Sequence, residues 1–469
     1  MQGTRLLGAV FLLLLFLMMT SFYDVQRNGL TMIFMDASRP QLKQNVSHHI
    51  ALQDFQSQAS VTNSTQWDVT LLSDTKDMTD ASSVALSIPS NGTCRPHVNV
   101  AFMKVHKCGS SLIFHMLLRF GYEHNLTVAL PRQVGLEFIG SLGTIKDDDY
   151  LHPPGGKRWN IFGHHAFYNR TRFRQLMAPN TRYVAILREP LQRVQSAFNY
   201  FRIEKGFPGL AKQTPKGIAP VTTYLDRPKY WDPLFKVELV SPNKPLALMR
   251  EHVCVRNCMA RDLGLAERDY DNHTAVEEFV RGIENDFKTM LILEYLPESL
   301  ILLKRRMCWT LRDIIYTTGR HSRNVKYTFK ASITDKMKST FYEHNYADVL
   351  LYTRFNESFH RQISQESADF QEEVNHFRRV ISDVSKYCLS SKTRKGNFVV
   401  EKSRWNDAFS VGSLLCVQLR EHRTYWDKFL RLRYRQTGYK DVGKVVVHSK
   451  KSRRKPKKSR KRRTRRKRG

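Results

Sequence analysis

The chain has 469 residues, 41% of them hydrophobic, enough for a sizeable core in one large domain or two small ones. Its formal charge of +33 invites a nucleic-acid partner. Fifteen of the basic residues, however, lie between Lys450 and Arg468 with no acid among them, and the still-basic remainder suits an anionic ligand or surface.

After a five-residue leading tail, Leu6 to Met19 contains no polar side chain, and four uncharged residues extend the run to Tyr23. That length lies between a signal-peptide core and a membrane span. No small-x-small cleavage site follows. Residues 6–23 are therefore expected to be an uncleaved signal anchor, with residues 1–5 cytoplasmic. A cleaved signal is the alternative and leads to the same compartment. Residues 24–95 are rich in Ser, Thr, Gln and Asp and read as a solvated lumenal stem. Asn-x-Ser/Thr acceptors stand at Asn45, Asn63, Asn91, Asn125, Asn169, Asn272 and Asn356, all downstream of the apolar run, as suits a translocated chain. Seven cysteines in an oxidising lumen should partly pair, and the odd count leaves at least one over. Cys254 and Cys258 lack a second ligand pair at metal-binding spacing, so no metal is expected.

From 96 to about 440, short β-rich runs alternate with helical patterns. Val98–Lys104 predicts a strand and Ser111–Phe120 a helix. Asn160–Phe162 predicts a short strand, Tyr183–Leu187 a buried one, and Leu191–Glu204 a helix begun by Pro190. Ala275–Phe287 predicts a helix, Met290–Leu293 a strand, Pro297–Met307 a helix and Asp313–Thr317 a further strand. Residues 334–388 read as mainly helical. Alternation of this kind predicts an α/β fold with a parallel sheet flanked by helices.

Three segments could carry chemistry. The first runs from Lys104 to Ser111, between a strand and its helix. Gly109 permits close backbone approach, Ser110 and Ser111 offer hydroxyls, and Lys107 adds a point charge at a helix N-terminus, where anions are favoured. It is not a Walker A loop, and a Ser-capped basic turn is the plainer reading. The second is Arg188 at a strand end with Ser196 two turns into the next helix, able to grip another phosphate unless Arg188 pairs with Glu189. The third is His164-His165. Adjacent side chains there point different ways, so one of them at most serves a given site as a base.

K-x-H-K-x-x-S-S at 104–111, G-H-H-x-x-[FY]-N from Gly163, and L-R-[DE]-P-(x)5-S from Leu187 together resemble the Golgi carbohydrate sulfotransferases, most of all the galactose-3-O-sulfotransferases. The resemblance continues through Leu293–Leu303, Met307–Trp309 and Tyr352–Phe359. More distantly, the first three segments are similar to uronyl 2-O-sulfotransferases. The resemblance implies a P-loop-NTPase-like sulfotransferase fold in a Golgi type II membrane protein with a lumenal catalytic domain. It also implies the donor 3′-phosphoadenosine 5′-phosphosulfate (PAPS), and as acceptor a galactose 3-hydroxyl on galactosylceramide or another glycan. By motif match, Lys104, Lys107, Ser110 and Ser111 would surround the 5′-phosphosulfate, and Arg188 and Ser196 the 3′-phosphate. The base would be His165 or His164, with His106 a third candidate, and no metal would be needed. Cys108-Gly109 departs from the family's usual Thr-Ala or Thr-Gly, and Lys205–Lys229 does not align well. The tail at 441–469 should be disordered and could hold acidic polysaccharide. A glycosaminoglycan uronyl or hexosamine sulfotransferase, and a non-enzymatic polyanion-binding membrane glycoprotein, are the rival readings.

Overall fold

The computed structural model describes residues 94–140, 144–244, 250, 252–318, 332–390 and 396–437. The expected cytoplasmic tail, anchor, nearly all of the stem, Asn45, Asn63, Asn91 and the polybasic tail lie outside the described residues. Among the described residues no helix is long and apolar enough to cross a membrane.

Four strands, β1 (Val100–Met103), β2 (Ile161–Phe162), β3 (Arg182–Leu187) and β4 (Thr289–Ile292), form a parallel sheet in the order β2-β1-β3-β4. Val100 pairs with both Ile161 and Arg182, and Val184 pairs with Thr289. β1 and β4 are buried along their whole length, which is why they read as continuous rather than alternating apolar runs.

Twelve helices are used below: α1 (Ser110–Glu123), α2 (Arg170–Leu176), α3 (Pro190–Phe201), α4 (Pro220–Asp226), α5 (Cys258–Asp262), α6 (His273–Asp286), α7 (Leu296–Met307), α8 (Asp335–His344), α9 (Tyr346–Ser364), α10 (Phe370–Leu389), α11 (Ser413–Arg420) and α12 (Arg423–Gln436). The main core joins the sheet to α1, α7, α9 and α10. A second cluster gathers Val194 and Phe198 of α3 with Tyr224 and Leu225 of α4, Trp231 and Phe341 of α8.

Two expectations fail in instructive ways. Asp313–Thr317 is not a strand; Leu311–Ile314 forms a single helical turn instead. Thr310 and Asp313 cap each other there, and Arg119 donates to the carbonyl oxygens of Arg312 (2.9 Å) and Asp313 (2.6 Å). Backbone acceptors that a sheet partner would need are thus already taken. The helix after Pro190 stops at Phe201 rather than Glu204, because Arg202 turns left-handed (φ 59°) and a 3₁₀ turn follows at Ile203–Gly206.

The cysteines pair as Cys94–Cys308, Cys254–Cys258 and Cys388–Cys416, leaving Cys108 as a buried free thiol. The first link ties the approach to β1 to the end of α7. The second closes a four-residue span just ahead of α5.

Candidate active site

In a parallel sheet every strand delivers its carboxyl end to the same edge. Here that edge receives Lys104 after β1, Gly163-His164-His165 after β2, Arg188 after β3 and Leu293-Glu294 after β4. Segments far apart in sequence therefore meet.

The loop from Lys104 to Gly109 is held from several sides. Lys107 (φ 66°) and Gly109 (φ 73°) both take left-handed backbone, and a Cβ on Gly109 would come within 2.6 Å of Leu293 Cδ1. Only glycine is free of both penalties at that position. The Ser110 hydroxyl donates to the Val105 carbonyl (2.6 Å), so its proton is spent on closing the loop. Ser111, by contrast, is exposed. The α1 N-terminus has no side-chain cap; the Leu112 N–H turns to the Gly109 carbonyl (3.1 Å), and the N–H groups ahead of it face the helix start, where an anion is favoured.

Two guanidinium groups lie beneath this loop. Arg188 Nη1 donates to the Lys107 carbonyl (3.4 Å) and Arg193 Nε to the His106 carbonyl (3.4 Å). Arg193, only 2% exposed, keeps Nη2 buried without a partner, and so does Arg188 at Nε. The competing pairing with Glu189 does not form. The Glu189 carboxylate caps α3, accepting from the N–H groups of Leu191 (2.9 Å) and Gln192 (2.8 Å), and also takes the Tyr342 hydroxyl (2.8 Å). Among the described residues no carboxylate bonds Lys104, Lys107, Arg188 or Arg193. Burial pushes the Lys107 ammonium down to about 8, aided by the neighbouring Arg193 and Arg188. Burial likewise brings Lys104 down to about 8. Lys107 Nζ rests 3.5 Å from the ring centre of Tyr200, which is 63% exposed, and Lys104 Nζ lies 4.8 Å from that of Phe114. Ser196 is half-buried on α3 and shares a helix face with Arg193 and Tyr200.

The histidines separate by direction. His164 turns into the core, edge-on to Phe114 at 4.8 Å, while His165 stacks on His106 at 3.8 Å. Burial holds both His164 and His165 well below the usual imidazole range, so both are neutral. Both also keep a buried Nδ1 without a partner. His106 differs. Its Nδ1 lies 2.8 Å from Asp262 Oδ2, and the same oxygen accepts its backbone N–H at 2.7 Å. Burial alone would raise the Asp262 carboxyl, but the His106 imidazole and hydrogen bonds hold it below the usual range. His106 Nε2 faces His252 Nδ1 at 3.0 Å. The ring nitrogens of His106, His165 and His252 lie within 4.8 Å of one another, so among the described residues this is the one group that could be considered for a metal. The rings of His106 and His165 are near-parallel (10°), so their in-plane lone pairs run side by side rather than converge on one point.

Sequence reasoning singled out the loop, Arg188 and the three histidines, but it missed Arg193, His252 and Asp262. Arg193 could have been found as the residue three before Ser196 on one face of α3. His252 and Asp262 lie about 150 residues from His106 and carry no local signature.

Of the acceptor asparagines described, Asn125, Asn169 and Asn272 are exposed at a turn or a helix cap, whereas Asn356 is half-buried inside α9.

A model of the family described as galactose-3-O-sulfotransferase matches residues 41–403. Galactosylceramide sulfotransferase of Bos taurus is 29% identical over 308 residues, 64% of this chain and 66% of that protein. Galactose-3-O-sulfotransferase 3 of Mus musculus is 27% identical over 299 residues, covering 63% and 64%. Galactose-3-O-sulfotransferase 2 of Mus musculus is 28% identical over 320 residues, covering 66% and 74%. The chain thus spans about two thirds of the length of the relatives it matches. With a family match over most of its length and an anion-ready edge on a parallel sheet, the chain belongs to the galactose-3-O-sulfotransferase family.

Proposed function

We propose that this protein transfers the sulfuryl group of PAPS to the 3-hydroxyl of a galactose, on galactosylceramide or on another galactose-terminated glycan. One observation carries the reading: Lys107, Arg188 and Arg193 crowd an uncapped helix N-terminus, and among the described residues no carboxylate is bonded to any of them. A buried cation without a counterion is costly, and a multiply charged anion relieves that cost. A strand–loop–helix unit with left-handed backbone at Lys107 and Gly109 supports a P-loop-like way of seating the donor's 5′-phosphosulfate. Arg188, with Ser196 on the next helix, would take the 3′-phosphate.

The acceptor oxygen attacks sulfur in line, the bond from sulfur to the phosphate oxygen breaks, and that oxygen keeps the electron pair. Lys107 and the α1 N–H groups stabilise the charge growing there, with Lys104 behind them. The acceptor's proton must go to a base. His106 is favoured over His165 and His164 because a carboxylate stands behind it to stabilise the imidazolium that forms. No step requires a metal.

Residence in the Golgi lumen behind a type II anchor is supported by the apolar run at 6–23, the acceptor asparagines and the three disulfides. The tail from Lys450 would meet acidic polysaccharide rather than nucleic acid there. The test is a PAPS-dependent assay with galactosylceramide, N-acetyllactosamine and desulfated uronic polysaccharide side by side. Transfer to a galactose acceptor is expected. Transfer to the polysaccharide alone would move the chain to the uronyl class, and no transfer at all would leave a binding protein.

A further inference from the structure

We propose that Asp262 is a positioning residue that sets the tautomer and orientation of His106, and that His252 marks the place of the incoming acceptor hydroxyl. The proposal rests on the sulfuryl-transfer reading above and deepens it.

An ionised carboxylate only accepts, so the His106 nitrogen facing Asp262 Oδ2 at 2.8 Å carries the proton. Nδ1–H is then committed, and Nε2 holds the lone pair. Asp262 Oδ2 also accepts the His106 backbone N–H, which fixes the ring and the loop together. The carboxylate is itself held by a rigid mount. α5 carries Asp262 at its last position, and Asp348 accepts from the N–H groups of Met259 (3.2 Å) and Ala260 (2.8 Å) at its start. Asn345 takes the Asn257 N–H at 3.0 Å, and Cys254–Cys258 closes the segment between His252 and α5. Asp262 is 3% exposed, its Oδ1 has no hydrogen-bond partner, and its Oδ2 bonds His106 through both ring and backbone.

His106 Nε2, as an acceptor, receives the Nδ1–H of His252 at 3.0 Å. An O–H group of the acceptor would have to stand in that place to be deprotonated. His252 is half-buried and fills the lone pair until the hydroxyl replaces it. The other charged or titratable groups around the ring are His165, stacked on it, Lys104, Arg193 on the His106 carbonyl and near Asp262, Glu137 beside His252, and Arg261 beside Asp262. Among the described residues Asp262 is the one acid that bonds a nitrogen of His106.

The experiment uses the full chain with ¹⁵N-labelled histidine. Wild-type His106 should show a protonated Nδ1 and a free Nε2 at neutral pH. Asp262→Asn should lower kcat by roughly 10²-fold, the low end for a general base, while leaving the KM values within about threefold. In Asp262→Asn the ¹⁵N spectrum should also show His106 losing its preference for a protonated Nδ1. Asp262→Glu should recover part of the rate. A wild-type His106 protonated at Nε2, or an Asp262→Asn enzyme within threefold of wild type, would overturn the inference. The histidine spectrum of the wild type decides even if Asp262→Asn fails to fold. An expected histidine spectrum with no transfer to any acceptor would instead overturn the functional reading and, with it, any role of Asp262 in catalysis.

Discussion

Two groups of basic side chains in this protein live under opposite conditions. Lys304 and Arg305 at the end of α7 meet Glu373 (2.8 and 2.6 Å), and Arg305 also meets Glu366 and Asp369 (both 3.0 Å). Every charge there has its opposite within reach, and the network joins α7 to α10. Lys107, Arg188 and Arg193 meet carbonyl oxygens and an aromatic ring, and among the described residues no acid is bonded to them, although buried Asp348 and Asp262 lie near Arg193. Residue type alone cannot tell the two apart. What separates them is whether the fold has already answered the charge, and the unanswered group is the one that waits for a ligand.

Breaking the contrast on the ligand side should give the largest effect. Lys107→Ala should lower kcat by roughly 10²–10³-fold, the scale for losing one donor that stabilises a developing anion. Its urea midpoint should stay near that of wild type; a PAPS assay beside a denaturation curve checks both. Exchanging Arg193 and Arg305 in turn for Met makes the comparison direct. Arg193→Met should weaken binding of adenosine 3′,5′-bisphosphate by about tenfold and cost less stability than the Arg305 exchange, since no carboxylate is hydrogen-bonded to Arg193, although buried Asp348 loses a nearby positive charge. Arg305→Met leaves Glu373 buried with one partner fewer and should cost about 3 kcal/mol of stability with near-normal binding. Calorimetry and urea denaturation on both variants would expose any crossover.

A smaller effect comes from pH. Lys107 and Lys104 are depressed to about 8 in the free protein, and a bound anion raises them again. Binding of the bisphosphate should therefore be level below pH 8 and weaken above it, by up to about tenfold per unit for each lysine. Titrations from pH 6.5 to 9.5 test the sign. The gentlest probe is glycan mapping of the protein expressed in the secretory pathway of a eukaryotic cell. Asn169 and Asn272 use only their side-chain oxygen or lie at exposed helix starts, so both should carry glycan, whereas half-buried Asn356 should not.

How much of this was legible depends on how local each feature is. β1, β3 and β4 were readable because buried parallel strands are unbroken apolar runs, and α1 and α7 because their apolar faces repeat along the chain. The Asp313–Thr317 segment misled for the same reason: its apolar run is real, but Arg119, nearly two hundred residues earlier, claims its carbonyls. The site divides the same way. Lys107, Gly109 and Arg188 announce themselves by motif. The choice among His106, His164 and His165 does not, because it turns on Asp262, which reaches His106 only through α5 and its supports on α9.

The perch of Lys107 over the exposed Tyr200 ring has a practical consequence. A lysine that must leave an aromatic face to greet its ligand gives up about 0.5–1 kcal/mol, a two- to fivefold tax on affinity. It also turns that ring into an optical gauge. With tryptophan in place of Tyr200, departure of the ammonium would change the indole emission, so each turnover's loading step could be watched in real time without labelled sulfate.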